Sequence, residues 1–236
     1  MRRWLKTIGF LVLSVFLSHF IPFNEFFRNL DTMIHEFGHA VVTLLLQGKV
    51  MYIELFANHS GVTYSQISQP WSLIPIAMAG YMTASLFALF LFRVRAHDRE
   101  RLGLQVVTLI AIAALILFVR GEFGVMWLIG FILLNVVMLA FMPAWIRDLY
   151  YLLIAFLTLE ESVMGPFSLV LYALRDPSKA GDATNLALVT PIPAFAWGLI
   201  FTLFALWCAV RAITLFLRGR TSENRRSPAI YTRYGE

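Results

Sequence analysis

His35-Glu36-Phe37-Gly38-His39 sets two imidazoles four residues apart with a carboxylate between them. On a helix, residues four apart stand one turn above another on a single face, so both imidazoles can reach one metal ion. Glu36 then lies beside the ion without binding it, placed to take a proton from the attacking water and pass it to a leaving amine. The chemistry of that pattern is hydrolysis of a peptide bond. Two imidazoles do not complete such a site, because catalytic zinc takes three protein ligands and leaves the fourth position to water.

The third ligand has to come from elsewhere, and the candidates are Asp31, Glu54, His59, His97, Glu122, Asp148, Glu160, Glu161, Asp176 and Asp182. Asp182 is the strongest, because Gly181-Asp182-Ala183-Thr184-Asn185 opens an apolar helix and can aim a carboxylate into a bundle. Capping that helix is its competing role. Asp176, just before Pro177, is the reserve choice. Asp31 reads as a helix cap together with Thr32, and His59 as a hairpin-turn residue.

With 59% hydrophobic and 14% charged residues, a chain of 236 residues cannot hide its apolar surface in water, so it is read as an integral membrane protein in a lipid bilayer. A histidine pair can be plain packing, but ionisable groups at membrane depth are costly and mark function. The formal charge of +5 does not indicate a nucleic-acid partner, since the basic residues gather at segment ends and in the tail. Cys208 is the only cysteine, which excludes an intrachain disulfide and a thiolate cluster.

The expected elements follow from hydropathy and punctuation. Trp4 to Ile21 reads as an uncleaved first span and Thr32 to Gln47 as a short metal-bearing segment sheltered by protein, with Gly38 and Ala40 admitting a neighbour and Gly48 stopping the helix. Lys49 to Gln66, rich in strand-favouring residues around Asn58-His59-Ser60-Gly61, reads as a hairpin. Beside a metal, its edge near Tyr52 to Phe56 would accept an unwound substrate strand; the alternative is a surface hairpin that only links two helices. Further spans are expected at Pro70–Phe92, where Gly80 would pack on the metal helix, and at Leu102–Val119, Phe123–Met142 and Ala144–Leu159. A short stretch, Ser162–Leu174, is interrupted by Gly165-Pro166, and a last span runs over Leu186–Leu217.

If the amino-terminal end of the metal helix and the start of the last span meet at one face, an even number of crossings must separate them, which requires Ser162–Leu174 to cross. The fold class is therefore an all-α polytopic membrane protein with about seven or eight transmembrane segments and a small hairpin after the metal helix. Residues 1–217 form one membrane domain and residues 218–236 a basic, mobile tail. Both termini fall in the cytoplasm by their arginines, although the arginine-rich Arg93–Arg101 loop then lies on the other side.

The motif His35-Glu36-Phe37-Gly38-His39, the hairpin return Ser60-Gly61-Val62-Thr63-Tyr64 and the distal Asp182-Ala183-Thr184-Asn185-Leu186-Ala187 together resemble the site-2 protease family of intramembrane zinc metalloproteases, in its compact bacterial and plastid-type branch. The resemblance implies His35, His39 and Asp182 as ligands of Zn2+, Glu36 as general base, a membrane protein as substrate, and a bacterial cell membrane as location. One departure stands out: better-studied members carry an asparagine-proline pair before an aspartate-glycine pair, whereas here Ala183 follows Asp182, and Pro191 and Pro193 come later. Two other functions remain open, a catalytically inactive metal-binding scaffold or chaperone of the same fold, and a small transporter using His35 and Glu36 as a proton relay.

Overall fold

The computed structural model describes residues 24–226. Seven helices and three short strands follow one another: α1 (Asn24–Leu45), β1 (Lys49–Leu55), β2 (Gly61–Gln66), α2 (Leu73–Arg95), α3 (Glu100–Leu117), β3 (Val119–Arg120), α4 (Glu122–Ala140), α5 (Ala144–Arg175), α6 (Gly181–Val189) and α7 (Ala194–Arg226). In lipid every backbone polar group must find its partner inside the chain, and helices do this within one segment. Helices α2, α3, α4, α5 and α7 are long and apolar enough to cross a membrane. The most apolar of them, α4, is the least buried, and the least apolar, α5, is the most buried. Lipid therefore takes the purest hydrocarbon surface, and the centre takes the helix that carries polar groups.

Five such helices stand among the described residues, fewer than the seven or eight expected. The expected first span, Trp4 to Ile21, lies outside those residues. Ala144–Leu159 and Ser162–Leu174 are one helix, because Pro166 is buried within α5 and does not break it. Stopping there would strand carbonyls in an apolar interior, whereas continuing forfeits only one backbone bond. The expected last span is instead two helices, since Pro191 and Pro193 end α6 and start α7 afresh.

Helix α1 is not one of the five apolar helices. It carries Glu25, Arg28, Asp31, His35, Glu36 and His39 among its 22 residues, yet Leu30, Met33, Ile34 and Ala40 are buried. It is already helical at Asn24, seven residues before the expected cap, so Asp31 and Thr32 lie inside it. Its end is set by Gln47, whose φ of 60° turns the chain, with Gly48 N donating to Thr43 O at 2.8 Å.

Contacts fix the direction of each helix. His39 meets Ile76 while His35 meets Gly80, so α1 and α2 are antiparallel. Tyr151 bonds Leu91 O while Gly165 abuts Tyr81, so α2 and α5 are antiparallel; Phe201 packs on Tyr81 and Phe216 on Phe92, so α7 runs with α2. Four helices, α2 to α5, thus carry the chain back to the end at which α1 terminates. The even number of crossings is met without an extra one, because Asp182 approaches the histidines from the carboxy-terminal end of α1 and not from its amino-terminal end. The Arg93–Arg101 loop and Arg218 consequently share one end of the bundle.

The sheet has the order β2-β1-β3. β1 and β2 pair antiparallel from Lys49↔Gln66 to Leu55↔Gly61, with a register shift between Val50 and Tyr52. In the turn, Asn58 Oδ1 accepts from Ser60 N at 3.2 Å and from Ser60 Oγ at 2.7 Å, while His59 takes φ 63°. The unforeseen strand β3 pairs parallel with β1 at Ile53↔Val119 and Glu54↔Arg120. It occupies the edge near Tyr52 to Phe56 expected to receive substrate, and leaves β2 as the outer strand opposite.

This arrangement predicts thiol accessibility. In a Cys208→Ser background, Arg99→Cys and Arg218→Cys should label with a membrane-impermeant maleimide from one face, and Lys179→Cys only from the other. Labelling of all three from the same face would contradict the helix directions.

Candidate metal centre

Helix α1 delivers His35, Glu36 and His39 because its polar stripe is enclosed by protein. A close approach of α2 makes that enclosure. A Cβ on Gly80 would fall 2.6 Å from His39 Nε2 and would collide with the His35 ring, so only glycine lets α2 sit this near. Gly38 answers from the other helix, where a Cβ would meet Thr83 Oγ1 at 2.7 Å. The tight packing expected of both glycines is what the fold contains.

His39 Nδ1 donates to Ile76 O at 2.7 Å, which fixes the tautomer and turns the Nε2 lone pair toward the site. The Tyr81 ring packs edge-on against His35, with centroids 4.4 Å apart. Asp182, in the first turn of α6, brings Oδ2 to 3.1 Å from His35 Nε2 and 3.2 Å from His39 Nε2, and the two imidazole nitrogens are 3.0 Å apart. Asp182 is free for this because Thr184 closes the helix start, donating to Pro177 O at 2.6 Å and accepting from Ala180 N at 3.0 Å.

These three donors form a nearly equilateral triangle. Ligand atoms bound at about 2.0–2.1 Å around a tetrahedral ion stand about 3.3 Å from one another, so the donor set fits a zinc-sized cation. Two imidazoles and a carboxylate are also the ligand chemistry zinc takes in hydrolytic sites. Among the described residues, His35, His39 and Asp182 form the one group of this kind.

Glu36 stands outside the group. It is buried, and Thr63 on β2 donates to its Oε2 at 2.6 Å and to its backbone oxygen at 3.0 Å. Gly61 lies against the same side chain, where a Cβ would sit 2.6 Å from Glu36 Cγ. The hairpin is thereby joined to the metal helix, as it is again where Thr32 Oγ1 donates to His59 O at 2.9 Å. A cavity of about 830 Å³ opens before these residues, walled by α1, β2, α2, α5 and α6.

The reserve ligand, Asp176, is elsewhere. It caps a single turn between α5 and α6, bonded by Ser178 Oγ at 2.6 Å and paired with Lys179 at 3.2 Å, and these partners hold its carboxyl below the usual range. Glu161 is paired with Arg28 at 2.6 Å, and His97 bonds Arg93 O at 2.7 Å in the loop at the other end of the bundle. Sequence reasoning missed Thr63 and the Ile76 carbonyl. Alternation along β2 could have placed Gly61 and Thr63 on one face, whereas a backbone oxygen leaves no sign in residue identity.

A sequence model for M50B-like peptidases matches residues 7–212, which covers the motif, the hairpin and Asp182. No curated protein and no solved structure gives a match.

The geometry predicts metal content directly. Asp182→Ala and Gly80→Ala should each lose tightly bound metal while keeping their helical circular dichroism, and Asp176→Ala should retain about one zinc per chain by elemental analysis. A metal-free Asp176→Ala beside a metal-replete Asp182→Ala would reverse the ligand assignment.

Proposed function

We propose that this chain, which belongs to the M50B-like peptidase family and thereby to the site-2 proteases, hydrolyses a peptide bond in or near a transmembrane segment of another membrane protein, with zinc as cofactor. The observation that carries the reading is the convergence of His35, His39 and Asp182 to within 3.0–3.2 Å inside a bundle of apolar helices. His35 Nε2, His39 Nε2 and an Asp182 carboxylate oxygen would hold the ion. When bound, zinc lowers the pKa of water toward neutrality and polarises a carbonyl.

The remaining work falls to the chain. Thr63 occupies Glu36 Oε2, which leaves Oε1 to accept the proton of the attacking water and then deliver it to the nitrogen of the leaving amine. The Ile76 carbonyl keeps His39 in one tautomer and orientation. A helical peptide buries its scissile carbonyl in its own hydrogen bonds, so substrate must unwind before it is cut. An unwound segment needs a backbone partner, and β2 offers its outer edge at the cavity wall, where Gly61, Val62, Thr63 and Ser65 all stand.

Glu36→Gln is the discriminating variant. It should keep zinc and lose turnover of a membrane-embedded substrate by about 10²–10⁴-fold. Cleavage at the normal rate by the Glu36→Gln protein would end this mechanism, and tight zinc without cleavage by the unaltered protein would favour an inactive scaffold.

A further inference from the structure

Four carboxylates line the cavity, those of Asp31, Glu36, Glu161 and Asp182. Three of them are committed: Asp182 to the histidines, Glu36 to Thr63, and Glu161 to Arg28 through contacts of 2.6 and 3.4 Å. Asp31 is not. Its Oδ1 is sealed from solvent and has no hydrogen-bond partner among the described residues. Of the donors on its own helix, Arg28 faces Glu161 and the Thr32 hydroxyl serves His59 O. A carboxylate left so in a low-dielectric wall costs stability until a donor reaches it.

Its position says what that donor belongs to. Asp31, His35 and His39 lie at successive four-residue steps, so Asp31 stands about 6 Å along the same face of α1 from the first imidazole. An extended peptide repeats its side chains on one face every two residues, or about 6.6 Å. A strand whose scissile carbonyl lies at the histidines therefore presents a side chain two residues away at the depth of Asp31. At this end of the cavity two carboxyl groups, Asp31 and Glu161, face the one guanidinium of Arg28, so a second cation brought beside Asp31 would complete the pairing.

We propose that Asp31 is a specificity residue that binds a lysine or arginine side chain of the substrate, two residues from the cleaved bond; this rests on the protease reading above. A basic residue inside a transmembrane segment is costly in lipid, so passing it to Asp31 favours the transfer of that segment into the cavity. The same residue weakens the segment's hold as a lipid-embedded helix, which favours the unwinding that cleavage needs.

The test is binding without turnover. Zinc-loaded Glu36→Gln protein in nanodiscs is titrated with fluorescent leucine-alanine membrane peptides that carry a Gly-Pro break, with one lysine walked through the positions flanking the break and norleucine or glutamate as replacements. One lysine position should bind about tenfold tighter than its norleucine counterpart. Adding Asp31→Asn should abolish that preference, Asp31→Glu should restore it, and Asp31→Lys should transfer it to the glutamate peptide. Zinc content in each variant establishes that the site is assembled. Equal binding of all peptides, or a lysine preference that survives Asp31→Asn, overturns the proposal. If the lysine peptide binds as expected but the protein with Glu36 intact leaves it uncut, the subsite stands and the protease reading falls.

Discussion

The structure depends on three donor atoms, two imidazole nitrogens and a carboxylate oxygen, being held about 3 Å apart at the wall of a cavity inside an apolar bundle. In an apolar interior such groups are costly singly and are tolerated when paired with one another or gathered around a cation. That requirement explains why α1, which carries both histidines and the charged residues beside them, is enclosed by α2, the hairpin, α5 and α6. It also explains why glycine stands at position 80. The residue facing both imidazoles must fill no space, or α2 would be pushed away and His39 would lose the Ile76 carbonyl that orients it.

Asp182 imposes a second constraint, on the path of the chain. It is well over a hundred residues from the histidines in sequence and must return to their depth from one end of the bundle. Four alternating helices achieve that return, and α5 succeeds only by running unbroken through Pro166. The break is placed instead at Pro191 and Pro193, which frees α6 as a short separate helix able to carry Asp182 to the histidines before α7 recrosses. A helix continuous from Asp182 into the last span would tie that carboxylate to the tilt of the span.

The grouping of His35, His39 and Asp182 was legible in the sequence because it resides in residue types that are rare at membrane depth: two histidines at helical spacing, one acid after the first of them, and one aspartate opening a distant apolar run. The membrane class and the hairpin were legible for similar reasons, namely hydropathy and a strand-rich run around a turn. Proline misled in both directions. Gly165-Pro166 looks like an interruption, yet the apolar surroundings of α5 penalise stranded carbonyls more than one missing bond. The spans were consequently overcounted and the crossings reconciled through the wrong end of α1. Asp31 was read as a cap from its local neighbours, although the chain is already helical seven residues earlier. No residue pattern announces β3, a two-residue strand formed only because the turn between α3 and α4 meets β1.

That small strand determines which way the sheet can work. An unpaired edge within the membrane leaves amide and carbonyl groups without water to satisfy them, so an exposed edge persists only against protein or a water-filled cavity. β3 takes the outer edge of β1, and the N–H of Ile53 is spent on Phe118 O at 2.9 Å. β2 then carries the open edge, along the cavity and tied through Thr63 to Glu36. A strand added there would be registered by the same residue that holds Glu36, so the position of the backbone and the position of that carboxylate would be set by one contact. The hairpin is therefore more than a link between two helices in structural terms, because Thr63 ties it to Glu36 and the turn folds back onto Thr32.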